Sequence, residues 1–196
     1  MRLLFIDACA RKESKTRKAA ERLFNNIGGE TEILELYKTD IKPVNEELLS
    51  KRTELISQKA FGDELFFYAR RFAAADIIII AAPYWDMSFP AILKVYIENI
   101  MISGLVFRYD ENGIPQGLCN AKKLFYVSTA GGPAPVNHGY EYIKRLCRDM
   151  LSIDETRLFQ AENMDIPDTD VNSVIEKLNN EIDLYTCINF ERNDNE

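Results

Sequence analysis

The stretch Asp76-Ile-Ile-Ile-Ile-Ala-Ala82, closed by Pro83, constrains the fold more than any other part of the chain. Isoleucine is β-branched and suits a pleated strand. Four in a row leave no polar face, so such a strand needs apolar cover on both sides. Residues 77–83 are far too few to cross a bilayer. A central strand of a parallel sheet satisfies both conditions. Shorter apolar runs at 3–6 (ended by Asp7), 32–37, 124–129 and 156–161 read as its companion strands. Helical spacing fills the intervals. Ala20, Leu23, Phe24 and Ile27 form one stripe, stopped by Gly28-Gly29. Short helical pieces are expected near 46–49 and 53–60. Asp63 can cap a helix that buries Leu65, Phe66, Ala69, Phe72 and Ala73. Ser88 is the expected N-cap, with Pro90 in the first turn, of a helix reaching about Met101. Further helices are expected over 139–151 and through Val171, Val174, Ile175, Leu178, Ile182 and Tyr185. Strands alternating with helices predict an α/β, doubly wound, five-stranded parallel sheet of order 2-1-3-4-5 with helices on both faces. At 196 residues the chain reads as a single domain over 1–190 with a polar tail at 191–196.

Charge and cysteine usage remove several functions. Lys and Arg number 24 against 31 Asp and Glu, a net charge of −7. A general nucleic-acid binder needs a basic face, and an anionic membrane surface also selects for one, so neither partner is expected. The chain has one histidine and four scattered cysteines without a CxxC pair, which leaves no zinc cluster and no disulfide framework. No metal is expected, and reduced thiols point to the cytoplasm. The N-terminus lacks a long apolar region, so no signal peptide is expected. A hydrolase would need a nucleophile elbow, and no GxSxG is present.

Ligands of an open α/β sheet bind at the carboxyl ends of its strands, which singles out three loops. Residues 8–16 offer Ser14 and Thr16 just before a helix, among Arg11, Lys12, Lys15 and Arg17. They make either an anion site at a helix N-terminus or a capped helix with solvated charges. Neither GxGxxG nor GxxxxGK[ST] is present, which disfavours a dinucleotide Rossmann site and a Walker NTPase. Residues 83–88 carry Tyr84, Met87 and Trp85, the only tryptophan. Such a loop fits a planar apolar ligand or packs on its own helix. In the third, Ser128-Thr-Ala-Gly-Gly-Pro133, two glycines permit close backbone approach to a ligand, though they equally make an ordinary turn.

Three stretches together carry a family resemblance: Ala82-Pro-Tyr-Trp-Asp-Met-Ser-Phe-Pro-Ala-Ile-Leu-Lys94, Gly104-Leu-Val-Phe-Arg-Tyr-Asp-Glu-Asn-Gly113 and the double glycine after the fourth strand. Over nearly its whole length the chain resembles the flavodoxin-like NAD(P)H oxidoreductases, the group of quinone reductases and FMN-dependent azoreductases. The resemblance implies FMN, rather than FAD, as cofactor and NAD(P)H as co-substrate. It implies that Ser14, Thr16 and Arg17 hold the FMN phosphate. Pro83, Tyr84, Trp85, Asp86 and Met87 would lie along the isoalloxazine, chiefly through backbone amides. Ser128, Thr129, Ala130, Gly131 and Gly132 would bond its N1–C2 side. Phe107 and Tyr109 would reach into the pocket of a partner subunit, making a homodimer. The azoreductases usually have serine where this chain has Cys9, asparagine where it has Asp86, and a histidine where Ala134 stands. His138 or Tyr140 is then the expected substrate contact, and the Asp86 carboxylate is expected to turn away from the ring onto amides near 88–91.

The implied activity is hydride transfer from NAD(P)H, through flavin N5, to a small-molecule acceptor such as a quinone, azo or nitro compound. A flavodoxin-type electron carrier is one alternative; the connection 107–118, which would roof a pocket, argues against it. A flavin-less binding protein that kept the fold is the other, and the hydroxyls at 14 and 16 with the double glycine argue against that.

Overall fold

In the computed structural model, which describes residues 1–190, the chain runs in the order β1 (Arg2–Asp7), α1 (Lys15–Ile27), β2 (Glu30–Glu35), α2 (Glu46–Ser57), α3 (Phe67–Ala74), β3 (Ile77–Ala81) and α4 (Ala91–Ile100). It continues through β4 (Phe107–Tyr109), β5 (Pro115–Gly117), β6 (Lys123–Thr129), α5 (His138–Leu146), β7 (Glu155–Ala161) and α6 (Val171–Phe190). The tail expected at 191–196 lies outside the described residues. The main sheet is wholly parallel, in the order β2-β1-β3-β6-β7. It is the expected 2-1-3-4-5 winding, with β6 and β7 as its fourth and fifth strands.

The isoleucine run explains why the sheet needs both helical layers. Ile77 and Ile79 join Leu23 of α1, Phe159 of β7 and Leu178 and Ile182 of α6 in one core. Ile78 and Ile80 join Phe72 of α3 and Leu93, Tyr96 and Ile97 of α4 in the other. Full burial of each such side chain is worth about 1.5–3 kcal/mol, so deleting either layer would leave this strand unsupported.

Several local expectations change. One continuous helix, α2, capped by the Asn45 side chain, replaces the two pieces expected near 46–49 and 53–60. Ser88 is not an N-cap: α4 begins at Ala91 with Pro90 before it, and Ser88 instead bonds back to Trp85. Proline's fixed φ starts this helix without a side-chain cap. The Asp63 carboxylate does accept an amide, from Leu65, but it caps a short 3-10 turn that leads into α3. Helix α5 gives way to a π-helical turn over Cys147–Leu151.

The long connection after α4 forms the β4–β5 hairpin. Asp110 Oδ1 accepts the amides of Asn112 and Ile114, and Gly113 takes φ +76°, so the Asn-Gly turn signal marks its tip. The hairpin base lies hard against the π-helical turn. A Cβ on Gly117 would stand 1.9 Å from the Leu151 carbonyl oxygen, so only glycine fits there.

Candidate active site

Helix α1 starts at the carboxyl end of β1. Ser14 sits in the extended conformation of an N-cap, and its Oγ accepts the Arg17 amide at 3.2 Å. The amides of Lys15 and Thr16 are the first two of the helix and have no intrahelical acceptor. With the helix dipole they form an anion-favouring end. Thr16 is only 1% exposed, and its hydroxyl lies 2.7 Å from that of Thr129. This bond fastens α1 to the end of β6.

Arg17 turns inward. Its guanidinium pairs with Asp7 and donates to the carbonyls of Cys9 (2.9 Å), Arg11 (3.0 Å) and Lys12 (2.8 Å). Asp7, 1% exposed, also accepts the Cys9 amide at 2.8 Å. Burial, reinforced by the nearby Asp7 carboxylate, pushes the Cys9 thiol up to about 12. The thiol is therefore protonated at neutral pH and supplies no nucleophile.

The second loop folds as a two-residue turn. Trp85 and Ser88 exchange backbone hydrogen bonds of 3.0 and 2.8 Å, while Asp86 (φ +49°) and Met87 (φ +65°) occupy the left-handed region. The Tyr84 amide donates to the Thr129 carbonyl at 3.0 Å, joining this loop to the third. The Asp86 side chain is exposed and forms no hydrogen bond among the described residues, so the expected contact with the amides near 88–91 is absent. The turn carries residues 86 and 87 out into solvent.

The third loop is bound to the segment after β7. Asn163, Met164 and Asp165 donate their amides to the carbonyls of Gly132, Ala130 and Gly131 at 3.1, 3.1 and 2.8 Å. A Cβ on Gly131 would lie 2.3 Å from Asp165 Oδ2, so any larger residue here would have to push this acidic side chain aside. Asn137, Gln160 and Glu162 hold the far side. Gln160 accepts from Asn137 and donates to the Ala134 carbonyl, while Glu162 accepts the Ala134 amide at 2.7 Å.

Between the loops lies a cavity of about 370 Å³. Ser14, Lys15 and Thr16 line one end; Pro83, Tyr84 and Trp85 form one wall; Thr129, Ala130, Gly131, Met164 and Asp165 form another. Its position at the carboxyl ends of β1, β3, β6 and β7 is where this winding places ligands.

A family model described as a flavodoxin-like fold matches residues 1–185. The chain belongs to this flavodoxin-like family. An FMN-dependent NADH:quinone oxidoreductase of Clostridium perfringens is 33% identical over 186 residues, covering 90% of this chain and 93% of that protein. A second protein so named, from Clostridium acetobutylicum, is 34% identical, covering 89% and 92%. Among solved structures, an FMN-dependent NADH-azoreductase of Bacillus anthracis in complex with FMN superimposes with a TM-score of 0.81 at 20% identity, covering 97% of this chain and 99% of that one. At that identity the likeness is one of fold.

In this flavodoxin-like chain the cavity gathers Ser14, Thr16, Pro83, Tyr84, Trp85, Thr129, Ala130 and Gly131 from the expected set. Arg17, Asp86, Met87, Ser128 and Gly132 lie outside its lining. Ser128 is fully buried and its hydroxyl has no partner among the described residues. His138 is exposed at the first position of α5. Tyr140 lies outside the cavity lining: it is 8% exposed, and its hydroxyl donates to the Thr156 carbonyl at 3.2 Å, anchoring α5 to β7. Phe107 is 8% exposed within its own chain and meets Tyr109 edge-on at 5.5 Å, whereas Tyr109 is 56% exposed. Phe107 therefore belongs to the packing of its own chain, and Tyr109 alone of the two presents itself outward.

Sequence reasoning missed Met164 and Asp165. They follow the last strand of the sheet, and the strand-end rule that singled out the other loops would have found them. A larger groove, about 550 Å³, opens at the amino ends of β1 and β2. Its arginines are already committed: Arg2 to Asp76, Arg71 to Glu32, and Arg70 to the carbonyls of Phe61 and Asp63. No helix among the described residues is long and apolar enough to cross a membrane, and no cluster there could hold a metal ion.

Proposed function

We propose that the protein is an FMN-dependent NADH:quinone oxidoreductase that also accepts azo and nitro compounds. The observation that carries this reading is the strand-end cavity, with a helix N-terminus at one end and a tyrosine–tryptophan wall beside a glycine-bearing loop. The names of the Clostridium relatives support the same activity. The donor set fits the cofactor. The Ser14 hydroxyl and the Lys15 and Thr16 amides would hold the phosphate, aided by the positive charge of Arg11 and Lys15 in the lining. Tyr84 and Trp85 would flank the ring, and the Gly131 amide, which has no acceptor among the described residues, would meet the pyrimidine side and stabilise negative charge developing on reduction. FMN held there would supply the hydride-transfer chemistry between NADH and the acceptor. The protein binds, orients and excludes water. None of the cavity residues is asked to act as an acid–base catalyst, and the high pKa of Cys9 accords with that.

Residues 1–190 would act as one flavin-binding domain, in a cytoplasmic homodimer. The exposed Tyr109 on the hairpin and Trp85 at the cavity support the dimer, as side chains a second subunit would cover. The purified protein should show the visible bands of oxidised flavin and release FMN on denaturation. It should also oxidise NADH only when a soluble benzoquinone or an azo dye is supplied under anaerobic conditions. A colourless protein that neither binds added FMN nor oxidises NADH would overturn the proposal.

A further inference from the structure

Arg17 has five N–H groups, and four of them are already engaged, by Asp7 and by the carbonyls of Cys9, Arg11 and Lys12. It keeps at most one for any ligand. Its neighbours show what this commitment does. No peptide bond in the described chain is cis. In a trans peptide the C=O and the N–H of the same plane point in opposite directions. Drawing the carbonyls of residues 9, 11 and 12 onto one guanidinium therefore turns the amides of Ala10, Lys12 and Glu13 the other way. Those three amides have no acceptor among the described residues, and Ala10 and Glu13 line the cavity. Successive outward amides next to a helix N-terminus make an anion-binding concavity.

We infer that Asp7 is a positioning residue for the phosphate: it holds Arg17, and Arg17 holds the carbonyls of residues 9, 11 and 12 inward, with the amides of residues 10, 12 and 13 outward. Asp7 does not touch the ligand. Arg17 shapes the loop and is not itself the phosphate's counter-charge. The inference rests on the flavin reading above, and it predicts an effect whose sign is opposite to simple electrostatics. Removing a carboxylate near an anion site should by itself tighten anion binding; loss of the brace should weaken it.

The test uses the full chain freed of flavin, titrated by fluorescence with FMN and with riboflavin, which has the same ring but no phosphate. Asp7→Asn is expected to raise the FMN Kd at least about tenfold while moving the riboflavin Kd by less than about twofold. Breaking a buried pair can unfold a protein, so Arg17→Lys serves as the second variant. It keeps the charge opposite Asp7 but loses the planar fork that gathers three carbonyls. It should show the same selective loss, and the double variant should be no weaker than the weaker single one. FMN binding that tightens or stays unchanged in Asp7→Asn, or an equal loss for both flavins, overturns the inference and leaves the flavin reading standing. A wild-type chain that binds neither flavin overturns both.

Discussion

Met87 is one of the few non-glycine residues among those described that adopt a positive φ. A non-glycine residue in the left-handed region is disfavoured by roughly 1–2 kcal/mol, and Met87 sits there at φ +65° beside Asp86 at +49°. Two left-handed central residues make the turn that usually carries Asn-Gly. Met87→Gly should therefore raise stability by about 1 kcal/mol in urea unfolding, and Asp86→Asn by a few tenths. Because the Asp86 carboxylate is exposed, Asp86→Asn should also leave the flavin midpoint potential within ~30 mV of wild type, equivalent to ~1.4 kcal/mol for a two-electron couple. A larger positive shift would show the carboxylate facing the ring. Ser14 caps α1, and on the proposed flavin reading it would also offer a hydroxyl to the phosphate. Ser14→Ala should cost about 1 kcal/mol of stability. It should also raise the FMN Kd by at least ~10-fold in the same fluorescence titration, since a hydrogen bond to a charged group is worth about 1.5–3 kcal/mol.

Helices α1 and α6 cover one face of the sheet, and their contact is partly electrostatic. Arg22 of α1 bonds Asp183 of α6 at 2.6 Å, and Asn26 adds a bond of 2.8 Å to the same carboxylate. The Arg22 hydrogen bond, helped by Asn26, holds the Asp183 carboxyl below its usual range. A folded-state pKa that is lowered contributes stability above the unfolded value, and that contribution fades as pH falls through the folded one. Asp183→Asn should thus cost about 0.2–1 kcal/mol at pH 7, the modest size expected of a solvent-screened pair. The difference from wild type should vanish in acid, where both chains carry a neutral group; urea titrations across the carboxylate range would measure it.

At the scale of the whole molecule, the hairpin of β4 and β5 stands out from the main sheet with Tyr109 and Ile114 exposed on it. If a second subunit covers this element, sedimentation of the wild type should give a dimer. Tyr109→Glu should shift it toward monomer and lower NADH:quinone turnover, with little change in thermal stability of the protomer. A wild-type monomer that turns over NADH at full rate would exclude the shared site.

Much of this architecture is written in local sequence. Residues 77–80 require cover on two faces whatever surrounds them, and short βα spacings leave parallel winding as the arrangement that supplies it. Strand ends followed by helix starts then mark where a ligand sits, so Ser14, Tyr84, Trp85 and Gly131 could be singled out from periodicity and punctuation. The tertiary structure alone decided which charge faces inward. Arg17 lies in a basic run that reads as a phosphate site or as solvated charge, until β1 and α1 are packed together and Asp7 is sealed beneath it. Thr16 meets Thr129 across 113 positions, and Asp165 crosses Gly131 only once β6 and β7 are paired in register. Phe107 likewise turned inward because the hairpin folded onto its own chain. Hydrophobic period and turn chemistry act over a few residues. The partners of a buried charge or hydroxyl are set by strand register and helix docking, which exist only when the chain has closed.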